Sequence, residues 1–154
     1  MTRVISKSKN VEIKRQKSGD FLVIDNKVWM IDDKHNHAEM KALSDQCYGR
    51  VLVAGYGLGM VQKHLTENKS VDSFLTIEIS SDVIEVCKNT YGEIIGDVTI
   101  LDFYDFETDE TWDCIVGDIW FSKQDVELMK KFTEKAEGLI KTGGEILLWG
   151  DNNG

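Results

Sequence analysis

Hydrophobic positions along the chain keep two different periods. In residues 11–31 apolar positions fall into three short segments of strand character, 11–16, 21–25 and 27–31. Ser18-Gly19 separates the first two, and Asp25-Asn26, a pair suited to a tight hairpin turn, separates the last two. This predicts a small β-meander; the polar and basic residues 1–10 before it are expected to form a loose start. A helix is predicted over 36–46, capped by Asn36 with Glu39 three residues on, and with Ala38, Met40 and Leu43 inward. From there the pattern alternates. Strands are predicted at 50–54, 73–79, 97–101, 112–118 and 145–149, and helices at 58–68, 81–90 and 123–141, the last closed by Thr142-Gly143-Gly144. Strand–helix alternation implies a parallel sheet with right-handed crossovers.

Composition narrows this. A chain of 154 residues fits one domain, divided here into a meander (1–34) and an α/β core (35–154). The net charge is −9, with 27 acidic against 18 basic residues, a field that repels phosphate backbones and anionic membranes. No nucleic-acid or membrane partner is therefore expected. Cys47, Cys87 and Cys114 form no CxxC pair and no clustered zinc site, so no metal is expected, and buried thiols in a reducing cytoplasm fit. With no signal-like start and no 18-residue apolar stretch, a soluble, cytoplasmic protein is expected.

Candidate chemistry begins at residues 51–60, VLVAGYGLGM, where an apolar strand runs into Gly55-Tyr56-Gly57-Leu58-Gly59 and then a helix. Glycines there let the backbone turn sharply and approach a ligand. The spacing is GxGxG. A dinucleotide loop, GxGxxG, would need glycine at Met60, so a nucleoside without a pyrophosphate fits better. The alternative is merely a tight strand–helix turn. Glu78 ends the next strand, where a carboxylate accepts both ribose hydroxyls; Tyr56 and Ile79 are counted with it as contacts. Asp102 follows the third strand and is a candidate to accept from an adenine amino group while Phe103 packs on the base; a helix cap is the alternative, and Asp105 competes for the role. Asp118 ends the fourth strand in apolar surroundings and is the catalytic candidate, with Trp120 as an acceptor wall or a core aromatic.

Together these four points resemble the class I S-adenosylmethionine-dependent transferases over roughly residues 50–150. A narrower resemblance is to the spermidine synthase family, which has a β-meander, an aspartate-rich turn and a Tyr-Gln-Glu-Met segment before its glycine loop. Here Asp25-Asn26-Lys27, Asp33 and His37-Ala38-Glu39-Met40 stand in those places, with Glu39 and Met40 matching and His37 and Ala38 departing. Val53 also fits, since many methyltransferases carry an acid there. The family's Asp-Ser-Ser-Asp-Pro run keeps only its first aspartate, in Asp118-Ile119-Trp120-Phe121-Ser122, and the chain contains no proline. The family continues past the fifth strand, and most methyltransferases add strands six and seven; this chain ends at Gly154.

The resemblance implies a Rossmann-like α/β fold with five parallel strands in the order 3-2-1-4-5, helices on both faces, an N-terminal β-meander, and strands six and seven missing. It implies S-adenosylmethionine, or its decarboxylated form, as cofactor and a small-molecule acceptor, with His37, Glu39 and Trp120 as substrate-binding residues. The leading expectation is a methyltransferase. The alternatives are an aminopropyltransferase, or a protein that binds or consumes the cofactor without transfer. A homo-oligomer, a dimer above all, is expected because Leu147, Leu148 and Trp149 lie in the last strand at the sheet edge.

Overall fold

The computed structural model describes residues 2–120 and 122–150. Its first part is an antiparallel sheet in sequence order: β1 (Arg3–Ser8), β2 (Val11–Gln16), β3 (Gly19–Ile24) and β4 (Lys27–Asp32). Asp25 and Asn26 both take positive φ, 51° and 63°, as a two-residue hairpin of this hand requires. Residues 3–8 are not a loose start: they pair with β2 from Arg3↔Arg15 to Ser8↔Val11. Their neighbour across the chain explains the ordering, because Ser8 Oγ lies within hydrogen-bond distance of Asp82 (2.6 Å) and Glu85 (2.7 Å) of α3 (Ser81–Tyr91), with its one proton to donate between them. In β4 the pairing jumps from Leu22↔Met30 to Val23↔Val28, leaving Trp29 as an extra residue. A bulge of this kind re-aims side chains.

Helix α1 spans Lys34–Asp45. It starts earlier than predicted: Asp33, not Asn36, is the cap, its Oδ1 accepting from Asn36 N at 2.9 Å. Glu39 takes no part in a capping box and is engaged elsewhere.

The second sheet has five parallel strands: β5 (Gly49–Ala54), β6 (Val71–Glu78), β7 (Asp97–Ile100), β8 (Trp112–Gly117) and β9 (Ile140–Leu148). Their order is β7-β6-β5-β8-β9, the expected 3-2-1-4-5. β5 lies at the centre and is covered on both sides, which is why it reads as an unbroken apolar run. Val51 and Val53 pack with Met40 of α1 and with Val61 and Leu65 of α2 (Met60–Glu67). Leu52 and Ala54 face the other way, toward Phe132 and Ala136 of α4 (Val126–Glu137). α3 lies against the N-terminal sheet, where Val83, Val86 and Cys87 share a core with Val11, Ile13 and Leu22.

The predicted helix over 123–141 is shorter and its glycine stop is misplaced. α4 ends at Glu137, and residues 140–144 already belong to β9. Leu139 and Ile140 continue the helical period, but Leu139 drops into the core and Gly138 breaks the turn. Gly143-Gly144 lie in an irregular stretch of β9 between the pairs Trp112↔Ile140 and Cys114↔Glu145; a side chain at Gly144 would meet the Asp113 carbonyl at 2.8 Å. Leu147 is buried and Leu148 and Trp149 pack on the chain's own core, so these residues do not present a bare apolar edge. Gly154, on which the expectation of missing strands rests, lies outside the described residues. The three cysteines are free and buried, Cys114 Sγ lying 3.2 Å from Cys47 Sγ. No helix among the described residues is long and apolar enough to cross a membrane.

Candidate active site

The site is built around the exit of β5. Gly55 (φ 98°) turns the chain beside the exit of β8, and a Cβ there would sit 2.5 Å from the Asp118 carbonyl. No other residue type fits that approach. Tyr56 N donates to Glu78 Oε1 at 2.9 Å, and Ser80 N donates to Glu78 Oε2 at 2.9 Å. Glu78 is thus clamped between two backbone donors, its carboxyl group bridging the exits of β5 and β6. It is 8% exposed rather than a surface acid at a strand end. Gln62, on the inner face of α2, donates from Nε2 to the Gly55 carbonyl (3.2 Å) and to Thr76 Oγ1 (3.1 Å), fixing the loop from below. Sequence reasoning passed over Gln62; the signal was a polar side chain between apolar Met60, Val61 and Leu65.

A cavity of about 340 Å³ opens over this loop. Gly55, Gly57, Glu78, Ile79 and Asp118 form one wall, and Leu22, Ile24 and Trp29 of the N-terminal sheet form the other. That opposite wall was also missed, because a meander carries no motif. The volume and mostly apolar lining, with a few convergent polar groups, are those of a small-molecule site. Ile79 is 66% exposed and offers a flat apolar surface beside Glu78.

Asp118 follows β8, its N–H donating to the Ala54 carbonyl at 3.1 Å. Burial, with the charges of Glu78 and Glu39 adding to it, pushes its carboxyl up to about 7. Desolvation disfavours the charged form first, and the neighbouring carboxylates reinforce it, so Asp118 takes up a proton near neutrality.

Several predicted residues are not brought to this cavity. Phe103 is 3% exposed and stacks on Phe132 with ring centroids 4.9 Å apart, so as placed it does not pack on a base. Core burial outweighs the ligand role because the residue is the first of a one-turn 3₁₀ helix, Phe103–Asp105, that rolls inward. Asp102 caps that helix, Oδ1 accepting from Tyr104 N at 3.0 Å, and is absent from the cavity wall. Trp120 is 2% exposed, donates from Nε1 to the Trp149 carbonyl at 2.9 Å and packs edge-on against Phe132, so it is packed as a core aromatic and is absent from the wall of this cavity. Tyr56 joins the site through its backbone only. Its ring is buried and its hydroxyl accepts from Ile95 N at 3.0 Å.

His37 and Glu39 stand elsewhere. His37 Nε2 lies 2.5 Å from Asp32 Oδ1 and Nδ1 lies 3.1 Å from His64 Nε2, at the rim of a second cavity of about 270 Å³ that also touches Leu58, Gly59 and Lys63. Glu39 accepts from Lys123 Nζ at 2.7 Å and Trp149 Nε1 at 3.3 Å. Burial opposes its charge, but these donors hold its carboxyl below the usual range. Among the described residues no group of three metal-ligating side chains comes together.

No protein-family model matches the chain, and no curated protein matches it in sequence. Solved structures do match. Spermidine synthase from Thermotoga maritima aligns over 90% of this chain and 54% of its own, at 16% identity and a TM-score of 0.65. A spermidine synthase in complex with the transition state analogue AdoDATO aligns over 90% of this chain and 53% of its own, at 18% identity and a TM-score of 0.65. An S-adenosylmethionine-dependent methyltransferase from Clostridium acetobutylicum aligns over 73% and 49%, at 12% identity and a TM-score of 0.52. The chain spans about half the length of these structures. At such identities the likeness establishes the fold: it is the one these transferases share, and the resemblance read from the sequence is matched at that level.

Proposed function

We propose that the chain is an S-adenosylmethionine-dependent transferase acting on a small molecule, with methyl transfer as the leading reaction. The observation that carries this is convergence: the glycine loop, the clamped Glu78 carboxyl and the raised Asp118 share one cavity of nucleoside size. The residues fit such a cofactor. The backbone donors of Tyr56 and Ser80 orient Glu78 so that its remaining lone pairs accept the two ribose hydroxyls, and Gly55 lets the wall lie flat beneath the ligand. The cofactor supplies an electrophilic carbon on a positively charged sulfur.

The protein's own part is positioning and proton control. Trp29, Leu22 and Ile24 supply an apolar wall opposite the glycine loop. Asp118, titrating near pH 7, is matched to accept a proton from an amine or hydroxyl acceptor as it attacks. In-line displacement otherwise asks only for alignment, which a cavity walled on two sides would provide. The test is product analysis by mass spectrometry with S-adenosylmethionine and a panel of small amines and alcohols. Asp118→Asn is expected to lower turnover by roughly 10²–10⁴-fold while leaving cofactor affinity nearly unchanged. Full activity in that variant would remove Asp118 from catalysis.

A second reading is aminopropyl transfer from decarboxylated S-adenosylmethionine. It is supported by the N-terminal sheet, since the spermidine synthases align over 90% of the chain and the methyltransferase over 73%. The same assay with the decarboxylated cofactor separates the two by product mass.

A further inference from the structure

Three titratable side chains from three elements meet beside the glycine loop, outside the wall of the first cavity. Asp32 ends β4, His37 lies in the first turn of α1 and His64 lies in α2. His37 stands between the other two. Its Nε2 is 2.5 Å from Asp32 Oδ1, its Nδ1 is 3.1 Å from His64 Nε2, and the two rings meet edge-on. His64 Nδ1 is buried and has no hydrogen-bond partner among the described residues. The far ends of α1 and α2 are tied differently. There Asn68 Nδ2 donates to the Ser44 (2.9 Å) and Cys47 (3.1 Å) carbonyls, and these bonds do not titrate.

The proton count decides what this row can do. An ionised carboxylate only accepts, so His37 Nε2 carries its proton toward Asp32. With both rings neutral, His37 Nδ1 is bare and accepts from His64 Nε2–H, and His64 Nδ1 is left bare in its buried place. A proton added to the pair has to reverse the His37–His64 bond and put an N–H at His64 Nδ1, where no acceptor stands among the described residues. One more sets N–H against N–H across 3.1 Å, and the bond is lost. The surrounding charges are mixed. Burial weighs most against a charged His64, followed by His37; Glu67 favours the charge, Lys63 and Lys41 oppose it, and the balance lies below the ordinary 6.5. Around His37 the second cavity also presents Lys63, Glu93 and Tyr91. Tyr91 is engaged with Asp20, itself held by Arg15, and Asp33 is engaged in the cap of α1.

We propose that Asp32, His37 and His64 form an acid-released clasp: neutral imidazoles hold the end of β4 and the start of α1 against α2, and protonation lets them part while Asn68 keeps the far ends together. β4 carries Trp29 into one wall of the first cavity, and α2 continues directly from Gly59 of the glycine loop, so the clasp joins the elements that carry the two walls. It is independent of what that cavity binds. The sign follows from the lowered His64 value. The unfolded chain takes up this proton first, so the stability the clasp contributes is present above 6.5 and is lost as pH falls from there toward the folded value.

The test is ring-nitrogen NMR of the three histidines, with thermal melts and amide hydrogen exchange at pH 7.5 and pH 5.5, on wild type, His64→Gln and His37→Gln. Glutamine keeps a donor and an acceptor but gains no charge. At pH 7.5 the wild-type spectrum is expected to show His64 neutral and protonated on Nε2, and His37→Gln is expected to shift the His64 titration upward. Between pH 7.5 and pH 5.5 wild type should lose melting temperature relative to His64→Gln. Its exchange, corrected for the intrinsic pH dependence, should rise in residues 30–40 and 59–67 more than in β8. The opposite slope of Asp118 is common to both proteins and cancels in the difference. If one variant does not fold, the wild-type spectrum and the other variant carry the test. His64 protonated on Nδ1 at pH 7.5, a His64 titration unmoved by His37→Gln, or equal acid responses of wild type and His64→Gln would each overturn the clasp.

Discussion

The exits of β6 and β7 are locally alike and end up with opposite fates. Each carries an acid at or just past the strand end, Glu78 and Asp102, whose side chain accepts from the backbone N–H two residues on. At β6 the carboxyl has a second donor from the neighbouring loop, Tyr56 N, and the next residue, Ile79, stays 66% exposed on the cavity. At β7 no such cross-link is found among the described residues, and the next residue, Phe103, is swallowed by the core at 3% exposure. The central strand next to β6 ends in glycines whose bare backbone leaves room for a ligand. Beside the 3₁₀ turn after β7 lies Phe132, which leaves room only for another ring. An acid at a strand exit is therefore a weak sign of a ligand contact on its own; the partner that orients it across the sheet is what separates the two cases.

Truncation tests this contrast most strongly. Phe103→Ala is expected to cost about 3–5 kcal/mol of stability, the range for losing a buried aromatic ring, whereas Ile79→Ala should stay within about 0.5 kcal/mol. Ligand affinity should respond in the opposite order. Urea denaturation with calorimetry checks both, and a stable Phe103→Ala with weakened binding would reverse the comparison.

Asp118 gives the next largest effect, through pH. Its folded-state value, about 7, lies above the ordinary carboxylate value, so the native chain binds a proton that the unfolded chain has released. Its contribution to stability therefore falls as pH rises from about 4 to about 7 and stays low above that. Asp118→Asn should flatten this slope and exceed wild type at pH 8 by about 2 kcal/mol, allowing for the partial exposure of the residue. Parallel melts of both proteins at pH 4.5 and pH 8 decide it; a constant difference across that range would place the proton elsewhere.

The smallest effect belongs to Asp102. As a cap it should cost about 1 kcal/mol on replacement by alanine, with little change in ligand affinity. A large loss of affinity at unchanged stability would return it to the adenine role.

How legible all this was depends on the range of the interaction. The 3-2-1-4-5 sheet was readable because alternation of apolar runs and glycine breaks is local, and Gly55 to Gly59 mark a loop by composition alone. β1 was not, since Arg3–Ser8 is ordered by β2 and by Asp82 and Glu85, far away in the chain. The end of α4 was misread because Leu139 and Ile140 satisfy the helical period while serving the core and the next strand. Glu78 and Asp118, which the structure brings to one cavity, are readable as strand ends, whereas Trp29 owes its place in the opposite wall to a bulge that no periodicity announces. His37 and Glu39 rest on resemblance alone, and the structure pairs them with Asp32 and His64 and with Lys123 and Trp149.

The claim that the Glu78 cavity holds an S-adenosyl nucleoside is met most directly by titrating folded wild type and folded Glu78→Gln with S-adenosylhomocysteine. Glutamine keeps one acceptor for the loop but loses the charge that the ribose hydroxyls bind. The account predicts measurable binding to wild type and a loss of about 1.5–3 kcal/mol in the variant, the range for hydrogen bonds to a charged group. Equal affinity in the two proteins, or no binding to wild type, would contradict it.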